Sequence, residues 1–267
     1  MNKLIHINPQ SKGSLGKSLY FETFVAWLDA LGVSWKGYDL DDRHRTFSDR
    51  HAANVRLVNL DSEGPNDAIL KMFAEVFQGS TPVIVIDTRA QADQLLLNAF
   101  GQLRIFDRAQ SADARFVFSL FPSDDNESLA NFQQIVRLTH DHADYFVVRN
   151  PACSRGSIFD NSAMRDTILK KLGGIELTIP VVTNVTIQTL EQVERRERRT
   201  ISFTEFAAGI HGIDPLITGE MQFLLGSMAL QFNRAAARLL PDKELSKAPG
   251  DADEANIQEL PELDLTF

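Results

Sequence analysis

The chain has 267 residues, 43% of them hydrophobic, which is ample for one large α/β domain with a buried core. Cys153 is the sole cysteine, which excludes an internal disulfide and a cysteine-held iron–sulfur cluster. No apolar run approaches the roughly 18–20 residues of a membrane span, and no basic-then-apolar signal pattern opens the chain, so a cytoplasmic protein is expected. The net charge is −9, but residues 241–267 alone hold eight acids and two lysines. The remaining body is near neutral, and charge neither predicts nor excludes nucleic-acid binding.

Residues 4–19, LIHINPQSKGSLGKSL, read as a short apolar strand, a loop with two glycines and two lysines, and the start of a helix. That order suits phosphate. The helix N-terminus offers backbone N–H groups and a partial positive charge, and Gly13 and Gly16 let the backbone approach closely. Lys17 is placed to reach the β- and γ-phosphates, with the Ser18 hydroxyl on Mg²⁺. A standard phosphate loop has glycine where Ser11 stands. Apolar residues at helical spacing then run to Leu31 and stop at Gly32.

Residues 33–38 read as a strand ending in Asp39-Leu40-Asp41-Asp42. This is either a solvated acidic turn or, beside a phosphate loop, a set of carboxylates for metal and water. Residues 43–50, RHRTFSDR, read as an irregular polar segment, either a switch loop or a basic surface loop. Residues 55–60 read as a strand and 65–77 as a helix with Pro65 in its first turn. The run TPVIVIDT at 81–88 reads as a strand buried on both faces that closes in Asp87, a second metal-side carboxylate.

Residues 91–106 read as helix and 115–121 as strand, with a helix start at Ser123-Asp124-Asp125 and an apolar stripe over 129–138. Residues 144–149 form a further strand ending in Asn150-Pro151, either a turn or an amide set to meet adenine. A helix at 161–172, a strand at 175–179 and helices at 188–199, 203–210 and 217–240 complete the body. Arg195, Arg196, Arg198 and Arg199 are either a DNA phosphate patch or, with Glu191, Glu194 and Glu197, a solvated helix end; the second is favoured. The stripe of Met221, Leu224, Leu225, Met228 and Phe232 reads as core, with a dimer contact as the second reading. Residues 1–240 are expected to form one domain and 241–267 an acidic, mobile tail. The six histidines show no metal-site spacing.

The loop KGSLGKS resembles the deviant Walker A motif K-G-G-x-G-K-[ST] of the ParA/MinD family of P-loop ATPases, with Ser14 in place of the second glycine. Asp39 and Asp41 match the family's D-x-D strand end, Asn150-Pro151 its base-contacting dipeptide, and TRAQAD, with Thr88 and Arg89, its second switch. The whole run is most similar to the TraL and StbB type ATPases of conjugative plasmids. Strands and helices alternate along residues 1–180, about seven strands in all, which predicts a mostly parallel sheet covered by helices on both faces; the resemblance implies that this is a P-loop NTPase fold. It implies ATP cradled by Lys12, Gly13, Ser14, Leu15, Gly16, Lys17, Ser18 and Leu19, with Asn150 on the base and Mg²⁺ near Ser18, Asp39 and Asp87. It assigns catalysis to Lys12, Lys17 and Asp41, Asp41 orienting water. The function it implies is slow ATP hydrolysis in an ATP-bound homodimer, serving plasmid or DNA partition, transfer or positioning through a protein partner. The alternatives are a metabolic P-loop kinase or ligase, a module that binds nucleotide without splitting it, and a DNA-binding protein with a vestigial nucleotide site.

Overall fold

Short runs of β-branched and aromatic residues alternate with helical periods, and each becomes an element of a computed structural model that describes residues 1–10, 15–41, 45–60, 64–88, 93–210 and 212–249. In chain order these are β1 (Lys3–Ile7), α1 (Lys17–Ala30), β2 (Trp35–Asp39), α2 (Thr46–Arg50), β3 (Val55–Leu57), α3 (Pro65–Gln78), β4 (Val83–Asp87), α4 (Asp93–Gln102), α5 (Ile105–Ser111), β5 (Ala114–Leu120) and α6 (Asn126–Thr139). They continue with β6 (Ala143–Arg149), α7 (Ser157–Asp160), α8 (Ala163–Asp166), β7 (Ile175–Thr178), α9 (Asn184–Glu197), α10 (Phe203–Ala207), α11 (Pro215–Arg234) and α12 (Ala236–Leu239). The strands form one seven-stranded sheet in the order β3-β2-β4-β1-β5-β6-β7, and every pairing is parallel. This is the fold class expected from the sequence.

Strand alternation sends neighbouring side chains to opposite faces, and each face is covered. Leu4, Val83, Val85, Val117, Phe146 and Val148 share a core with α1, α9, α10 and α11. Ile5, Ile7, Ile84, Ile86, Phe116 and Phe118 share the other with α3, α4, α5 and α6. His6 lies in the first layer, edge-on to Tyr20, Phe21 and Phe24, with Nε2 2.6 Å from Ser119 Oγ. Burial lowers its pKa to about 3, so it is a neutral core histidine. The outer edge of β7 is met by Gln231 of α11, whose amide accepts from Thr178 N at 2.8 Å and donates to Thr178 O at 2.8 Å.

Several sequence boundaries are corrected. Residues 46–50 are helix rather than irregular chain, because Phe47 is buried against Phe21 and Trp35. The single helix expected over 91–106 is two, parted at Arg104, which has a left-handed φ of 49°. The helix expected over 161–172 is instead α8 followed by a π-helical turn at Thr167–Lys171, with the short α7 ahead of it. Asp242–Lys247, read with the tail, is a 3-10 helix, and Leu245 and Ala248 pack on the α1 core. The rest of that segment, 250–267, lies outside the described residues. Among the described residues no helix is long and apolar enough to cross a membrane.

The segment between β2 and β3 is anchored to distant elements by charge. Glu22 of α1 is buried, and His51 Nε2 lies 2.9 Å from its Oε2. Arg50 donates to Glu194 of α9 from Nε at 3.2 Å and Nη2 at 3.0 Å, and its guanidinium covers the Phe203 ring. Removing one member leaves the other carboxylates short of a partner in a mostly dry site. Arg50→Ala is therefore expected to lower unfolding stability by about 3 kcal/mol in a denaturant titration, more than an exposed arginine would cost.

Candidate functional site

The loop after β1 opens at the middle of the sheet, between the ends of β4 and β5. Gln10 fixes one side of it. Its side chain accepts from Phe121 N at 2.7 Å and donates to Phe121 O at 2.5 Å and to Ser128 Oγ at 3.2 Å. Gly16 fixes the other side, where the chain turns into α1 with a left-handed φ of 89°. A Cβ at Gly16 would overlap the Asn150 amide nitrogen, so this position requires glycine for both conformation and space. Lys17 is buried at the first turn of α1 and donates from Nζ to Gln10 O at 2.6 Å, across the base of the loop. Among the described residues no side chain caps α1 and no acid lies in its first turn, which leaves the helix N-terminus suited to an anion.

Beside the loop stand the two acids. Ser18 Oγ donates to Asp87 Oδ2 at 2.8 Å. Asn8 Nδ2 donates to Asp87 Oδ1 at 2.7 Å. Asp87 is almost wholly buried, and that burial, with Asp39 near by, raises its pKa to about 6 against the pull of Asn8, Ser18 and Lys17. Asp39 is its register partner on the next strand. The Asp39 carboxylate accepts from Asp41 N at 2.8 Å and from Ser48 N at 2.9 Å, so it ties down the chain that follows β2; burial raises its pKa too.

The structure thus brings together Gly16, Lys17, Ser18, Asp39 and Asp87 of the residues expected from the sequence, with Asp41 two residues beyond Asp39. Leu15 is buried at the loop, and Leu19 on α1 packs against the core. Lys12, Gly13 and Ser14 lie outside the described residues, as do Asp42 and Arg89. Asn150 turns inward: its amide nitrogen donates to Leu15 O at 3.2 Å and to Cys153 Sγ at 3.1 Å, buttressing the loop from behind. Of the four arginines at the end of α9, Arg195 pairs with Glu191, Arg196 with Glu197 and Arg199 with Glu205.

Sequence reasoning missed Asn8, Gln10 and Thr88 as a framework. Asn8 and Gln10 are polar residues that directly follow a fully buried strand, and both are themselves buried. A buried amide in that position has to be bonded, which was the available signal. Thr88 donates from its backbone N to Asn8 Oδ1 at 2.9 Å and from Oγ1 to Asn8 O at 2.6 Å.

No protein-family model matches the chain, and no curated protein matches it. Among solved structures it is similar to the signal recognition particle receptor FtsY from Elizabethkingia anophelis, at 12% identity and a TM-score of 0.46, over 68% of this chain and 60% of that one. The chain therefore spans less than two thirds of that receptor's length. It is also similar to the MinD cell division protein of Aquifex aeolicus, at 16% identity and a TM-score of 0.44, over 84% of this chain and 97% of that one. A third likeness is to cobyrinic acid a,c-diamide synthase from Mycobacterium smegmatis with bound ADP and magnesium, at 18% identity and a TM-score of 0.29, over 64% and 94%. Likenesses at these identities and scores assign no function.

Two outcomes are expected of the site. Gly16→Ala should destabilise the chain by about 2 kcal/mol in chemical denaturation, and adding Asn150→Ala should recover part of the loss by relieving the overlap. Asp87 takes up its proton more readily folded than unfolded, so stability falls as pH climbs from the ordinary 3.8 through about 6 and the penalty is constant above that. In nucleotide-free protein, Asp87→Asn should thus raise thermal stability at pH 7.5, by at most about 3 kcal/mol, with the gain vanishing below pH 4.

Proposed function

We propose that the chain is a P-loop nucleotide hydrolase of the ParA/MinD type, acting on ATP with Mg²⁺. The contact that carries the proposal is Ser18 Oγ to Asp87 Oδ2 at 2.8 Å, a hydroxyl at a helix N-terminus joined to an acid closing a neighbouring strand. A hydroxyl, a carboxylate and phosphate oxygens are the donor set that Mg²⁺ favours. Mg²⁺, when bound, neutralises charge on the phosphates. Ser18 and Asp87 would hold it, with Asp39 on the adjacent strand end. Lys17 and the backbone N–H groups of the loop stabilise negative charge on the γ-phosphate, and Asp41 orients water.

The finer reading is a slow ATPase that dimerises on ATP, with Lys12 of each copy reaching the other's phosphates, in plasmid or DNA partition, transfer or positioning. The outer face of α11 exposes Leu216, Phe223 and Leu230, at 84%, 64% and 45%, which supports a protein partner. Ion pairing of the α9 arginines favours a solvated helix end over a DNA patch.

The test is molar mass by light scattering with ATP and with ADP, beside phosphate release. Mass should double with ATP alone, and Lys17→Ala should cut release at least about a hundredfold. Phosphate transfer to a small molecule, undiminished by Lys12→Ala, would instead favour the metabolic alternative.

A further inference from the structure

Asp87 is a buried carboxylate with a donor on each oxygen. One donor, Ser18, belongs to the phosphate loop's helix. The other, Asn8, lies on neither the helix nor any motif, at the first position past the central strand, and is fully buried. Its amide is used at both ends: Nδ2 donates to Asp87 Oδ1 at 2.7 Å, while Oδ1 accepts from Thr88 N at 2.9 Å. Thr88 Oγ1 also donates to the Asn8 carbonyl at 2.6 Å. An amide satisfied this way cannot rotate without breaking bonds on both sides, because its oxygen and nitrogen are not interchangeable there. It therefore fixes the rotation of the Asp87 carboxylate. With Oδ1 held by Asn8, Oδ2 is the oxygen presented to Ser18 and to the phosphate side.

We infer that Asn8 is a positioning residue for the metal–nucleotide site: it orients Asp87 so that Oδ2 faces the Ser18 hydroxyl, and so sets how strongly a divalent cation strengthens nucleotide binding. The inference rests on the nucleotide-binding reading above. Asn8 touches neither phosphate nor metal in this scheme. It acts through Asp87, as a residue behind a metal-side carboxylate does, and losing such support typically costs 10–100-fold in metal affinity.

The experiment is equilibrium titration of ATP by calorimetry, with Mg²⁺ and with EDTA, for wild type, Asn8→Ala, Thr88→Ala, Asp87→Asn and the Asn8→Ala/Asp87→Asn pair. In the wild type Mg²⁺ should tighten ATP binding. Asn8→Ala should shrink that gain at least about tenfold while leaving the affinity in EDTA within about twofold. Thr88→Ala, which keeps the Asn8–Asp87 bond, should retain most of the gain. In the Asp87→Asn background Asn8→Ala should change the gain no further, since both act on one carboxylate. If Asn8→Ala does not fold by circular dichroism, Asn8→Ser, too short to reach Asp87, takes its place with the same expectation. A wild type that binds ATP with a normal Mg²⁺ gain, unaltered in the Asn8 variant, overturns this inference alone. An equal loss with and without Mg²⁺ overturns it too, as that is general loosening. A wild type that binds no ATP overturns the nucleotide reading and this inference together.

Discussion

The hydrogen bond between Ser18 and Asp87 joins the two parts of the molecule on which everything else converges. An ionised carboxylate with 3% of its surface exposed is costly in a protein interior unless donors surround it. Here Asn8 and Ser18 supply them, each from the flank of the loop that follows β1. The bond therefore stitches the glycine loop to the end of β4, and it can form only because the parallel sheet sets β1 beside β4 with their ends level. Burial still raises the Asp87 pKa, so the pocket keeps an unmet preference for positive charge.

The surrounding structure holds that arrangement from three directions. Gln10 ties the start of the loop to Phe121, at the end of β5. Asn150, at the end of β6, donates to the Leu15 carbonyl and fills the space beneath Gly16. Asp39, at the end of β2, grips the backbone of Asp41 and Ser48, and α2 is in turn locked to α1 and α9 through Glu22, Arg50, His51 and Glu194. The ends of β4, β5 and β6 thus bear on one loop, and the end of β2 lies beside that of β4, as expected of a ligand site at the carboxyl edge of an open parallel sheet.

Much of this was legible in the sequence because its signals are local. A buried strand followed by G-K-S at the start of a helix needs only a few consecutive residues, and VIVID ends in its acid within one strand. Alternation of such strands with helical periods was enough to predict the parallel, two-faced architecture. What was not legible depends on pairings far apart in the chain. Gln10 meets Phe121 across 111 positions, and Asn8 meets Asp87 across 79; neither spacing leaves a trace in composition or period. The polar sequence RHRTFSDR hid a helix because one buried Phe47 decides it. Asn150, which the resemblance sets on the base, also donates its amide nitrogen to Leu15 O, a contact across 135 positions that the sequence does not signal.

On the proposed function, a metal-bound triphosphate would be held by Lys17, Ser18 and Asp87. The most direct measurement is electron–nuclear double resonance on the protein with ATP and Mn²⁺ in place of Mg²⁺. A phosphorus coupling is expected on protein-bound Mn²⁺, lost in Lys17→Ala and altered in Asp87→Asn. A spectrum identical to that of Mn²⁺–ATP in buffer, or one unchanged by either substitution, would contradict it.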